Sequence, residues 1–214
     1  MSIAAETRVA DGHGAGKGAA TRAAILDRAV DLASAEGLEG LTIGRLAGEL
    51  EMSKSGLFAH FGSKQELQLA TVDAAATRFR RAVIDPAAGA ADGTPRLRAL
   101  VDAYLAHLDA DAYSGGCFWA STTAEYDDRP GPVRDAIAAA MDAWLGELER
   151  QAGIAGLEGP GLVAFELYAV VMGANSRHRL SGDRRVFAYA RDAVERLLAQ
   201  SSRPTWRRIE TESE

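Results

Sequence analysis

Cysteine, cationic surplus and strand-forming residues are all scarce in this chain. A single cysteine, Cys117, in 214 residues excludes an intramolecular disulfide framework and any cysteine-rich metal site. The formal net charge of -6 excludes a broadly basic nucleic-acid coat, although it leaves room for DNA binding through a small local surface. No apolar run approaches the roughly 18 residues that a bilayer span requires. The opening stretch MSIAAETRVADGHGAGKGAA carries acidic residues and no hydrophobic block of signal-peptide type, so 1–20 reads as a disordered arm on a cytoplasmic protein. Aromatics make up 7% of the chain and β-branched residues are not enriched, whereas alanine dominates, so an all-α fold is expected. With 47% hydrophobic residues the chain can bury a real core, as one large domain or two small ones.

What is present is helical periodicity. From Thr21 onward Ile25, Leu26, Ala29, Val30, Leu32 and Ala33 make one apolar face, and Gly37 stops that helix. Thr42 is a good N-cap for a second, short helix built on Ile43, Leu46, Ala47 and Leu50. The pattern breaks at Glu51-Met52-Ser53 and restarts at once in SKSGLFAHF. Ser63 with Glu66 three residues on is a capping box for a fourth helix. The clearest break in the chain is DPAAGAADGTP, Asp85 to Pro95, after which Thr94-Pro95 starts a helix bearing Leu97, Leu100, Val101, Tyr104, Leu105 and Leu108. CFWASTTAEYDD reads as another helix, ended by RPGP. A long helix from about Val133 to Gln151 follows, then two more separated by Ser181-Gly182, and 203–214 reads as a tail.

Two short helices joined by a tight corner and buttressed by flanking helices make a helix-turn-helix. The second must be thin enough to enter a major groove roughly 12 Å wide. Ser53, Ser55, Gly56 and Ala59 keep it thin, Leu57 and Phe61 anchor it, and Lys54 and Ser55 offer donors to base edges or phosphates. A cap at Ser53 aims backbone N–H groups and the positive end of the helix dipole at phosphate.

At these residues the sequence resembles the TetR family of transcriptional regulators. The ordered positions are Thr42, Ile43, Leu46-Ala47, Ser53, Phe58, His60-Phe61 and Lys64, within a match spanning about Thr21 to Phe79. The resemblance implies DNA contact by Thr42, Ser53, Lys54, Ser55, Gly56, Phe58, His60 and Lys64, the last three chiefly to the backbone. Two positions depart from the family pattern: Phe58 stands where tyrosine is usual and lacks its hydroxyl, and Glu51 stands where the turn usually has glycine. Each departure is expected to weaken binding by about 1 kcal/mol.

Beyond residue 94 an aromatic set with polar neighbours suggests a mostly apolar pocket with a few orienting donors: Tyr104, Phe118, Trp119, Thr122, Tyr126, Trp144, Tyr168 and Asn175. In the TetR-like reading this pocket holds a partly apolar small-molecule effector. The last two helices carry Phe165, Ala169, Met172 and Gly173, then Phe187, Ala190, Val194 and Leu197. Their small residues permit close approach, and paired with symmetry mates they would form the four-helix homodimer interface usual in the family.

The expectation is thus a helix-turn-helix domain over 21–84 and a helical-bundle effector and dimerisation domain over 95–202. Such a protein is a non-enzymatic regulator of double-stranded operator DNA, with no cofactor, metal or membrane partner. His60, His107 and His178 lie apart with no ligand-spaced partner, which argues against a metal site. The competing class is a helical ligand-binding or enzymatic bundle that has lost DNA reading, against which stands the absence of any catalytic constellation.

Overall fold

The computed structural model describes residues 13–201, and among them every regular element is helical. They are α1 (His13–Gly40), α2 (Ile43–Glu49), α3 (Lys54–Phe61), α4 (Lys64–Phe79), a π-helical turn (Arg80–Ile84), α5 (Asp85–Ala87), α6 (Thr94–Asp109), α7 (Phe118–Tyr126), α8 (Pro132–Ile154), α9 (Pro160–Ser181) and α10 (Arg185–Ser201). Residues 1–12 of the expected arm and the 203–214 tail lie outside the described residues. Residues 13–20, also assigned to the arm, are helical and extend α1. Once its anchored turns are nucleated, a helix propagates through alanine-bearing sequence without any apolar stripe to betray it.

α1 buries Ile25, Ala29, Val30, Leu32 and Ala33 and breaks at Gly37, whose φ of 78° lies in the left-handed region. Three N-caps then fall in succession. The side chains of Thr42, Ser53 and Ser63 accept hydrogen bonds from the amides of Arg45, Gly56 and Glu66 at 3.1, 3.0 and 3.1 Å, each worth about 1 kcal/mol. Between α2 and α3, Glu51 takes φ 52°, the left-handed conformation the turn demands of a non-glycine residue.

α4 packs on α1 and then runs into the body against α8. Just past Phe79 its ladder widens to i→i+5 steps, the Asp85 amide bonding the Arg80 carbonyl. Pro86 withholds the next amide the α ladder would need. The Asp85–Pro95 break is a tied-down corner. Ala87 is buried, and Arg96 donates to the carbonyls of Ala88 and Ala90. Buried Gln151 of α8 accepts from the Gly93 amide at 2.6 Å and donates to Asp92 and Glu147.

α7 lies along α1. The loop before it is bolted to the same helix: the Ser114 amide donates to Asp31 and the Gly115 amide to Ser34 Oγ. A Cβ on Gly115 would overlap the Ser34 carbonyl, so the close approach requires glycine there. α8, α9 and α10 pack in sequence and close the body.

Candidate functional site

The corner α2–α3 turns Leu46, Ala47, Leu57 and Phe61 inward. That leaves Thr42, Ser53, Lys54, Ser55 and Phe58 exposed, with Gly56, His60 and Lys64 half-buried. None of the residues selected from the sequence for DNA contact is buried. Lys54 leans across Gly44 of α2, its Cε 3.4 Å from where a Cβ would stand, and among the described residues no hydrogen bond or ion pair engages its ammonium group. Phe58 is 52% exposed, an apolar ring with no hydroxyl to offer phosphate. His60 faces Phe61 with ring centroids 6.2 Å apart.

Lys64 is placed differently from the others. Its Nζ donates to the Glu39 carbonyl at 2.7 Å and to the Glu39 carboxylate at 2.5 Å. The Lys64 hydrogen bond holds the Glu39 carboxyl below the usual glutamate range. Arg45, not selected from the sequence, is exposed at the first turn of α2 and clamped between Glu36 and Glu49, and Glu49 also holds Arg28. The i,i+4 spacing of Arg45 and Glu49 is visible in the sequence; the partners contributed by α1 are not. Around the outer face, cations thus stand in acidic hands while Lys54 is unpaired.

In the body, Tyr104, Trp119 and Trp144 converge around Phe79, which sequence reasoning missed, and Phe118 joins through Trp119 at 5.1 Å. Phe79 meets Tyr104 at 4.8 Å, Trp144 at 5.1 Å and Trp119 at 6.4 Å between centroids, all edge to face. The Trp144 indole N–H is buried there and has no hydrogen-bond partner among the described residues. The Tyr104 hydroxyl lies 3.1 Å from Cys117 Sγ. Tyr168 is half-buried, and burial raises the pKa of its phenol, with a smaller contribution from the Cys117 thiol.

The other candidates do not join this cluster. Thr122 spends its hydroxyl on the Phe118 carbonyl. Tyr126 sits at the far end of α7, where its hydroxyl accepts from Gln68 Nε2 at 3.1 Å and burial pushes its phenol up to about 12. Tyr126 and Thr123 instead edge an open groove of about 270 Å³ floored by Ile137 and Met141 of α8. Asn175 lies by His107, Tyr113 and Arg179, next to Asp111. Asp111 has φ 48°, and its carboxylate faces His178 Nε2 at 3.2 Å. Residue type alone groups these side chains; position along and between the helices sets Tyr126 and Asn175 apart.

Burial raises the pKa of the Cys117 thiol. It is a small buried side chain at the N-cap of α7, and a thiol in that state is a poor nucleophile.

The dimer candidates divide between the two last helices. On α9 Phe165 is 62% exposed, Ala169 and Gly173 are exposed and Met172 is half-buried. On α10 the expectation is corrected. Phe187 is 1% exposed, Ala190 and Val194 are also buried in this protomer's own core, and Leu197 is half-buried. An α10 stripe at three- and four-residue spacing satisfies the body first. The outward residues there are Tyr189 and Ala193, which with Val170, Gly173 and Arg177 border a shallow groove of about 250 Å³.

Among the described residues no helix is long and apolar enough to cross a membrane, and no cluster of metal-ligating side chains forms. A capped, outward-facing helix-turn-helix on an all-helical body defines a DNA-binding transcriptional regulator. Residues 25–71 match the family model for bacterial regulatory proteins of the tetR family, and residues 93–194 match that for the tetracyclin repressor-like C-terminal domain. The two matches together take in more than half of the chain, which belongs to the TetR family of non-enzymatic, dimeric, effector-responsive DNA-binding regulators.

Solved structures share the fold. A TetR-family regulator of Streptomyces coelicolor is 24% identical with a TM-score of 0.74, over 87% of this chain and 97% of that one. One from Chloroflexus aurantiacus is 24% identical at 0.78, over 87% and 98%. AibR, solved with isovaleryl coenzyme A and operator DNA, is 20% identical at 0.59, over 84% and 97%. No curated protein matches the chain.

Proposed function

We propose that the chain is a cytoplasmic homodimeric repressor. Residues 21–84 read a pseudo-palindromic operator, and residues 95–202 dimerise and take up a partly apolar small molecule that releases the DNA. The observation that carries this reading is α3 itself. Its capped N-terminus stands beside Lys54, unpaired among the described residues, with Thr42, Ser53 and Ser55 exposed and Gly56 half-buried. Lys54 and Ser55 are assigned to base edges, and His60 and Lys64 to phosphates, Lys64 exchanging Glu39 for DNA on binding.

The paired copy would present two such helices to successive major grooves about 34 Å apart. Phe165, Ala169, Met172 and Gly173 of α9, joined by Tyr189 of α10, are assigned to the contact between copies. For the effector, the aromatic cluster around Phe79 and Trp144 supports the reading. An unpaired indole N–H in an apolar surround is costly, by about 1–3 kcal/mol, and suits a ligand bearing an acceptor atom. AibR, solved with an acyl coenzyme A and its operator, gives the precedent of one such fold holding both. Effector binding would shift the population toward a spacing of the reading helices that no longer fits the grooves.

Selection of bound duplexes from a random pool tests the reading. A palindromic consensus is expected, with affinity falling steeply with salt as counterions are released. Lys64→Ala should lower the salt slope by about one for each phosphate that goes unneutralised. A chain that enriches no duplex would end the DNA-reading assignment.

A further inference from the structure

The turn that leads from α1 into the reading helices is held by a side chain from the body. Glu125, in the last turn of α7, accepts the Leu38 amide on Oε2 at 2.7 Å and the Glu39 amide on Oε1 at 2.9 Å. The fit is close enough to fix the residue opposite. A Cβ on Gly37 would lie 2.7–2.8 Å from the Glu125 carboxylate atoms, and the same glycine has φ 78°. The neighbouring side chains complete the joint. Gln68 of α4 donates to both the Leu38 carbonyl and the Tyr126 hydroxyl, and Arg129 stands 3.9 Å from the Glu39 carboxylate that holds Lys64. One short turn, 37–39, is thus gripped by α7 from the body side and by Gln68 and Lys64 of α4 from the other.

We propose that Glu125 is the positioning residue that couples the two functional regions, by fixing the 37–39 turn to α7 and so setting the pose of α2–α3 and the hold of Glu39 on Lys64. The inference rests on the DNA-reading assignment made above. α7 suits the task because it is a single rod of nine residues. Its first turn places Phe118 and Trp119 in the aromatic cluster, and its last places Glu125 on the turn, so displacement at one end is carried to the other. Two charge-assisted bonds to backbone amides constrain both position and direction, which one apolar contact would not.

The coupling must run both ways, so DNA can serve as the probe. Full-length protein carrying Trp206→Phe confines emission to Trp119 and Trp144, and the duplex is the one enriched from the random pool by the unaltered chain. Adding it should shift the emission, and NMR should show slow exchange of the Leu38 and Glu39 amides. In Glu125→Gln exchange at these two amides should quicken by roughly tenfold or more. The emission shift should vanish although the duplex still binds and DNA-free emission is unchanged. Gly37→Ala, which drives the turn off the carboxylate from the other side, should reproduce the loss with Glu125 intact.

An emission shift that persists in both variants, exchange that stays slow at Leu38 and Glu39, or a parent protein whose emission ignores bound duplex would each overturn the coupling role. If the parent binds no duplex at all, the DNA-reading assignment falls and takes this inference with it, an outcome distinct from the other three.

Discussion

Compare the α2–α3 corner with the α9–α10 hairpin. The corner's helices have seven and eight residues, too short to persist alone in water. They are held by individual atoms: a hydroxyl on each leading amide, a left-handed Glu51, and a few buried side chains. The hairpin's helices have 22 and 17 residues and are held by area, along the stripes Val163, Leu167, Val171 and Phe187, Val194, Leu198. Where structure is specified by single hydrogen bonds, surface is left free for a partner to read. Where it is specified by area, the same residues cannot also face a partner.

The largest effect should come from the body. Trp144→Ala removes an aromatic from the cluster with Phe79 and Tyr104 and should cost about 3–5 kcal/mol of stability, read by denaturant melting. A loss below about 1 kcal/mol would mean the cluster is already loose. That variant is consequently a poor test of ligand binding; Trp144→Phe, which keeps most of the volume and removes the N–H, is the sharper one.

Gly173→Phe comes next. A Cβ at Gly173 meets nothing within 4 Å in the protomer, so the fold should be untouched while overpacking weakens the pairing of copies by about 1–3 kcal/mol. Sedimentation should then move toward monomer. A dimer that persists would place the contact away from this part of α9.

On the corner, Lys54→Ala should leave melting unchanged and weaken the enriched duplex by about 1–3 kcal/mol, relaxing preference at one base pair per half-site. Uniform weakening on every sequence would reassign Lys54 to phosphate. The smallest effect should be Glu39→Gln, which leaves Lys64 only neutral acceptors, the Glu39 main-chain carbonyl among them, and removes a carboxylate from the DNA side. Binding should tighten by less than about 1 kcal/mol, with a steeper salt dependence; weaker binding would show that Lys64 needs Glu39 for its pose.

The same contrast explains what is legible in the sequence. Thr42, Ser53 and Ser63 announce helix starts because a hydroxyl before an apolar run has a local job, and each cap stands at its expected place. The inward residues Leu46, Ala47, Leu57 and Phe61 follow from short-range periodicity. Phe187, Ala190 and Val194, expected at a partner, are buried in this protomer's own core, because a stripe says that a face is buried, not against what. Chemistry groups Tyr126 and Asn175 with Trp144, but Tyr126 lies two turns along α7 from Trp119 and Asn175 lies on α9 beside His107 and Arg179. Phe79 escapes notice since nothing in its neighbours signals the π-helical turn that follows. The Glu39 and Glu36 partners of Lys64 and Arg45 lie on a different helix, beyond the reach of i,i+4 reasoning.

The π-helical turn at Arg80–Ile84 gives the rod one place where its length can change without changing its phase. Such a turn accommodates an extra residue within what is otherwise one continuous rod from Lys64 to Ala87. Deleting one residue there would let the rod close into a uniform ladder with both flanks near their present phase, whereas deleting one from the α-helical part of α4 would swing everything ahead by about 100° about the rod axis relative to everything behind. Substitutions at the exposed Arg80 and Arg81 should therefore pass a genetic screen easily. A single-codon deletion between them and Ile84 should be tolerated better than one between Leu69 and Ala76, which should score as a null allele even though it removes no residue assigned to DNA.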